Sequence, residues 1–288
     1  MNSPNTKHGQ QIVVALHSHR LDFLALQHHS VKHFIKNAAY LPIINAFDKD
    51  IEAGLIGYCE QNEIKYIRSK SLNPKYFTPN QLCGEGMNFF WHGELADHLN
   101  HVMLLLDSDC FLIAPFCPTS FLDGAPLAAP KVRREANGKA YNHLHPWPAV
   151  FDLKRLPNVE SINWHMTIID NAVLTDNFGE SYNYLANNPW LFDQIKTIHW
   201  SGHICHENNN LSTIHPSMIP YYNNEYRIEI FEQNFLHFAR GSNWAAERPS
   251  VLKAKWEFTE VYVNAAILGK LGRSGDMTNH HSATHGWA

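Results

Sequence analysis

The chain has little that would commit it to a membrane, to the secretory pathway or to nucleic acid. Its five cysteines (Cys59, Cys83, Cys110, Cys117 and Cys205) are odd in number and include no CxxC pair, which argues against a disulfide framework. No run of eighteen apolar residues occurs, and the opening MNSPNTKHGQQ is polar with no apolar segment, so neither a membrane span nor a secretory leader is expected. Positive charge is also scarce. Against 27 Asp and Glu stand 23 Lys and Arg, a formal net charge of -4 that gives no general attraction to nucleic acid or anionic lipid. Internal repeats are absent. These absences lead to the expectation of a cytoplasmic protein with free thiols.

What is present is a globular composition, 44% hydrophobic and 17% charged, in 288 residues, enough for one large domain with a substantial core. The 20 histidines run from His8 to His285 rather than in one tract, so most are expected to be ordinary surface or half-buried residues. QIVVALHSH (11–19) reads as a strand and LDFLALQHHSVKHFI as a helix. LPIINAFDKD (41–50), IEAGLIGYCEQNE and KYIRS (65–69) repeat the rhythm as strand, helix and strand. After the Pro-rich SLNPKYFTPNQ, helical spacing returns in GEGMNFFWHGELADH, which leads into the apolar strand HVMLLLDSD. Such alternation predicts an α/β fold with a mostly parallel sheet flanked by helices, whose ligands bind at the carboxyl ends of the strands. His17, Ser18, Asp48, Asp107 and Asp109 all fall at predicted carboxyl ends. Past residue 120 the chain becomes rich in Pro, Trp, Asn and His, ahead of a strand-like EIFEQNFLHFA and a helix near 252–268.

The DSD triplet poses the chemical question. Extended backbone sends residues i and i+2 to the same side, so a strand continuing through it would aim the carboxylates of Asp107 and Asp109 at one spot. Two like charges there call for a cation. An apolar strand ending in Asp-x-Asp resembles the metal-binding signature of the GT-A glycosyltransferases. The order VVALHSH, IINAFD, a helix carrying GMN and GEL, and then LLLDSD is similar to the family-2-type arrangement. The resemblance spans residues 11–123 in organisation. Beyond them it narrows to HPWPAVFDLKRL, which looks like an acceptor-side segment, and FLHFARGSNW, which looks like the segment that supplies a metal-binding histidine.

The resemblance implies a Rossmann-like GT-A fold and transfer of a sugar from a UDP, GDP or dTDP donor to a glycan, lipid-linked or other hydroxyl acceptor. It implies a nucleotide-sugar-binding half over 11–123 and an acceptor-binding half of the same domain over 124–272, while the terminal residues 1–10 and 273–288 read from their own sequence as flexible tails. Mn²⁺ or Mg²⁺ would be held by Asp107, Asp109 and His237, and would offset charge building on the departing diphosphate. His17, Ser18, Arg20, Asp48, Asn88 and Ser108 join the two acids as the expected donor-binding set. Trp147, Arg133 and Trp244 are the expected acceptor contacts, with aromatic planes suited to the C–H face of a pyranose. For a catalytic base no Glu-Asp dipeptide offers itself. Asp176 in LTDNFGES is the first candidate, and Glu180 and Asp152 are the substitutes. Both inversion, which needs such a base, and retention stay open.

Each site residue has a plainer reading. Asp48 precedes an apolar helix and suits an N-cap, His237 suits a core histidine, and the tryptophans suit the core. HICHE (203–207) has zinc-ligand types without a known zinc-finger spacing. Two other enzyme classes compete. Phosphatases of the haloacid dehalogenase type carry their Asp-x-Asp on the first strand, whereas here it closes the fourth. Sugar nucleotidyltransferases carry a Gly-rich basic loop after the first strand, where this chain has HSHRLD. A non-catalytic carbohydrate- or metal-binding protein is the third alternative.

Overall fold

The computed structural model describes residues 10–69, 79–136, 139–145, 147–169, 173–174, 178–203, 214–226, 228–238 and 248–271. In chain order the strands are β1 (Gln11–His17), β2 (Ala38–Ile44), β3 (Ile67–Arg68), β4 (Val102–Asp107), β5 (Cys110–Leu112), β6 (Leu127–Ala129), β7 (Lys131–Ala136), β8 (Lys139–Leu144), β9 (Ala149–Asp152), β10 (Ile168–Ile169), β11 (Val173–Leu174), β12 (Lys196–Thr197), β13 (Trp200–His203), β14 (Glu229–Phe231) and β15 (Phe235–His237). The helices are α1 (Leu21–Phe34), α2 (Lys49–Gln61), α3 (Pro79–Gly93), α4 (Pro118–Leu122), α5 (Ser181–Asn187), α6 (Pro189–Gln194) and α7 (Pro249–Ile267).

A seven-stranded sheet of order β12-β6-β9-β4-β1-β2-β3 runs through the molecule. Its pairs are parallel except where β9 lies antiparallel to both β4 and β6, so strands from beyond residue 123 extend the sheet begun by the first half. The β-branched and leucine-rich strands β1 and β4 are buried on both faces, as a central parallel strand must be. Alternation divides their side chains between two cores. Val13, Ala15, Leu104 and Leu106 pack with α1 and α7, while Ile12, Val14, Met103 and Leu105 pack with Met87, Phe90 and Trp91 of α3. Trp91 anchors the second core, with its indole N–H donating to the Val159 carbonyl at 2.6 Å and its ring edge-on to Trp164. Among the described residues no helix is long and apolar enough to cross a membrane.

A second sheet, β13-β14-β15-β5, is antiparallel and begins where β4 ends. The stretch EIFEQNFLH is therefore a hairpin and not one strand. Glu232 and Gln233 turn it with φ of 51° and 57°, left-handed values uncommon for non-glycine residues but required at the centre of tight hairpin turns. Likewise APLAAPKVRR divides at Pro130 into β6 and β7.

Helix α3 approaches the ends of β1 and β2 closely at Gly86. A Cβ there would lie 2.7 Å from Asn45 Nδ2 and 2.8 Å from Leu16 Cδ1. Gly86→Ala is expected to destabilise by about 1 kcal/mol net, since overpacking of about 1–3 kcal/mol exceeds a helix-propensity gain of about 1. Gly54→Ala in α2, with nothing within 4 Å of the added methyl, should stabilise by about 0.5–1 kcal/mol. Urea midpoints of the two variants moving in opposite directions would bear this out.

Candidate metal and donor site

The register of β4 on β1 pairs Asp107 with Leu16, at the carboxyl edge of the parallel strands. There β4 stops. Ser108 and Asp109 form a turn, and the chain re-enters extended structure as β5. Extended-strand alternation is thus not what joins the two acids. The Ser108 backbone N–H donates to Asp107 Oδ1 at 2.7 Å, a local bond that favours the turn over continued pairing. The turn itself brings the carboxylates together.

Pairing between β5 and β15 sets His237 opposite Cys110, and the Phe238 N–H donates to the Asp109 carbonyl at 2.8 Å. One ligand atom from each of Asp107, Asp109 and His237 consequently lies within 4.8 Å of the others. His237 Nε2 is 3.0 Å from Asp109 Oδ1, and His237 Nδ1 is 2.8 Å from Glu229 Oε2. Glu229 is buried and is the cross-strand partner of His237 in the β14–β15 hairpin. That carboxylate fixes the ring's orientation, as carboxylates behind metal-ligating histidines do.

The electrostatics are strained. Burial first, and the Asp109 carboxylate second, push Asp107 up to about 7, so at neutral pH the site holds its second negative charge only partly. Burial opposes a charged His237, but the carboxylates of Asp109 and Glu229 outweigh it and raise the imidazole well above its ordinary value. Burial, and then the charges of Asp107 and Asp109, raise the Cys83 thiol of α3 well above its ordinary value. Asn45 ties the neighbouring strand ends together. Its N–H donates to the His17 carbonyl at 2.8 Å, its side-chain amide to the Leu82 carbonyl at 2.9 Å, and its Oδ1 accepts from Ser69 at 2.5 Å.

The remaining sequence candidates divide. Ser108 is buried in the turn. Ser18 Oγ lies 2.7 Å from His19 Nδ1, half-buried beyond the end of β1. Arg20 pairs with Asp22 and lies over Phe23 and Trp256, 4.1 and 5.1 Å from the ring centres. His17 is 1% exposed, and its ring faces Gln27 of α1 and Tyr40 of β2. Asp48 is the N-cap of α2, accepting from Asp50 N at 2.8 Å and Ile51 N at 3.1 Å. Asn88 is buried, giving its amide to Asn163 Oδ1 and taking the Trp164 N–H, and so it fixes the 163–165 loop. Glu180 precedes α5 with its N–H on the His165 carbonyl. His165 in turn meets Glu85 of α3 at 3.0 Å, two residues along from Cys83.

Asp152 is set apart by the strand register. It lies opposite Val102, at the amino end of β4, the full length of that strand from Asp107. Six residues of strand place it about 17 Å away, too far to serve the same reacting centre. Trp147 is 5% exposed, packed edge-on to Phe178, which leaves no face for a sugar. Asp176, Trp244 and the side chain of Arg133 lie outside the described residues, as does most of HICHE. Sequence reasoning missed Glu229, Asn45 and Gln27. Only Glu229 left a signal, through hairpin pairing about 232–234.

No protein-family profile matches the chain, and no curated protein matches it. Solved structures do show likenesses. The chain is similar to the glycosyltransferase GlyE of Streptococcus pneumoniae TIGR4 (TM-score 0.41, 12% identity), covering 91% of this chain and 64% of that one. It is also similar to the bifunctional glycosyltransferase WbbM (0.31, 11%, covering 54% and 33%) and the S. cerevisiae mannosyltransferase Ktr4p (0.30, 6%, covering 92% and 63%). The chain thus spans less than two thirds of each of these proteins' length. Likenesses this slight decide no chemistry, which resides in particular side chains and not in a fold.

Proposed function

We propose that the chain is a glycosyltransferase that moves a sugar from a nucleoside-diphosphate sugar to a hydroxyl acceptor, with a divalent cation held by Asp107, Asp109 and His237. The observation that carries this reading is the convergence of those three ligand atoms within 4.8 Å at the carboxyl edge of a parallel sheet. The donor set fits. Two carboxylates and one imidazole suit Mn²⁺ and, less well, Mg²⁺, and three protein ligands leave positions for phosphate oxygens. When bound, the cation would act as a Lewis acid toward the leaving diphosphate.

The chain's own groups account for the rest. Asp107 and Asp109 supply the charge that recruits the cation, and Glu229 keeps His237 turned toward it. The acceptor oxygen attacks the anomeric carbon, and the bond to the diphosphate oxygen breaks with its electron pair leaving on the phosphate. Asp176 and Glu180 are the acids proposed to take the hydroxyl proton in an inverting reaction. Asp152, at the far end of β4 from Asp107, is not proposed as the base, and the buried Trp147 is not proposed as an acceptor contact.

A thermal-shift panel of UDP, GDP, dTDP and CMP, each with and without Mn²⁺, tests the reading. One nucleoside diphosphate is expected to raise the melting temperature in the presence of Mn²⁺ and much less with EDTA, since a ligand at 100 times its Kd stabilises by about 2.7 kcal/mol. Equal shifts with and without the metal would leave a nucleotide- or carbohydrate-binding protein in which the acids are structural.

A further inference from the structure

Behind the acids lies a buried polar residue with all four of its amide hydrogen-bonding positions filled. Gln27, 0% exposed in the middle of α1, donates through Nε2 to the carbonyls of Asp107 at 2.6 Å and Cys110 at 2.7 Å. Those two carbonyls are the two ends of the turn that carries the acids. Because both need a donor, the amide can face them in only one orientation, and Oε1 must point the other way. There it accepts from the Tyr40 hydroxyl at 2.8 Å and lies 3.0 Å from His17 Nε2, which must therefore carry the ring proton. Tyr40 and His17 also meet each other at 2.9 Å. One turn further along α1, Ser30 Oγ accepts from the Leu112 N–H at 3.3 Å, so the same helix grips β5 at both ends.

We infer that Gln27 is a positioning residue for the cation site: its amide clamps the Asp107–Cys110 turn from the α1 side, and His17 and Tyr40 lock that amide in its one productive orientation. The inference rests on the metal reading of Asp107 and Asp109. The side chain is fully buried behind the turn. It acts on main-chain carbonyls, fixing the separation of two carboxylates that repel one another. Left to relax, that turn would carry Asp107 and Asp109 apart, and the cation would then have to draw them back.

The test compares Gln27→Met, which keeps the volume and removes both donors, with Gln27→Glu, which sets a carboxylate against the two carbonyls, and Tyr40→Phe, which removes only the hydroxyl locking Oε1. Mn²⁺ affinity is read by the EPR signal of the free ion, and the apo turn by amide hydrogen exchange over 108–112. Gln27→Met and Gln27→Glu are expected to bind Mn²⁺ at least about 10-fold more weakly, as loss of groups supporting a metal site commonly does, with faster exchange confined to the turn. Tyr40→Phe should follow in the same direction by about 2- to 5-fold, the scale of part of one hydrogen bond. If a Gln27 variant does not fold, Tyr40→Phe decides. Affinity within 2-fold of wild type, with unchanged exchange in the turn, overturns the clamp. Wild type that binds no Mn²⁺ overturns the metal reading instead, and exchange in the turn still judges whether Gln27 holds it.

Discussion

Asp109→Asn is expected to abolish the Mn²⁺-dependent part of nucleotide binding and to slow sugar transfer roughly 10²–10³-fold, the usual cost of removing one fixed electrostatic element at a site of developing charge. Asparagine keeps the shape of the side chain, and the Phe238 N–H still finds the main-chain carbonyl of residue 109, so the join between β5 and β15 survives. What goes is the negative oxygen 3.0 Å from His237 Nε2. His237 keeps Glu229 on Nδ1 but loses one of the two carboxylates that hold it charged, so it gives up a proton more readily and the mutant avoids a fully unpaired buried cation. Calorimetric titration with Mn²⁺, then release of nucleoside diphosphate from the donor identified in the thermal-shift panel, would measure both losses. Native Mn²⁺ affinity in this variant would remove the DSD turn from the site, and with it the proposed transferase.

Much of this site can be read in the amino-acid string, and the parts that cannot share a cause. LLLDSD announces an apolar strand meeting a pair of acids at an edge where ligands bind, because hydrophobic runs and charge are local properties. His237 is approachable only through a resembled segment, since its nearness to Asp109 is created by the β5–β15 register across more than a hundred residues of chain. Glu229 and Gln27 are less visible still. One depends on a hairpin turned by Glu232 and Gln233, where the residues usual for such turns would have been Asn-Gly. The other is an ordinary polar residue in LDFLALQHH whose importance is set by which carbonyls lie opposite. Asp48 and Asp152 fail in the complementary way. Their composition suits a site, but a cap claims the first and antiparallel pairing carries the second to the far edge of the sheet. Residue type is legible; partnership waits on topology.

Asp107→Asn should make the metal-free protein more stable at pH 8 while removing its response to Mn²⁺, a combination expected of a charged ligand that the fold holds under repulsion. In the folded chain Asp107 is raised from 3.8 to about 7, by burial and then by Asp109. Its proton is therefore held more tightly in the native state than in the unfolded one, so this group's contribution to stability is intact below about pH 4 and declines as pH rises through 7. His237 shifts upward too, and its contribution is present below its unfolded value of 6.5 and lost as pH climbs through the higher folded value. Both therefore weaken the empty site on the alkaline side, where a bound cation would do most to restore it. The carbonyl oxygen of the replacement amide can still accept the Ser108 N–H and so preserve the turn while one of the two negative charges is deleted. In EDTA the variant should gain about 1–3 kcal/mol over wild type on going from pH 5 to pH 8, read from urea midpoints, and addition of Mn²⁺ at pH 8 should stabilise wild type alone. A variant that loses stability with alkali as steeply as wild type would mean that Asp107 already has a protein partner for its charge, and a carboxylate so satisfied has no need of a cation.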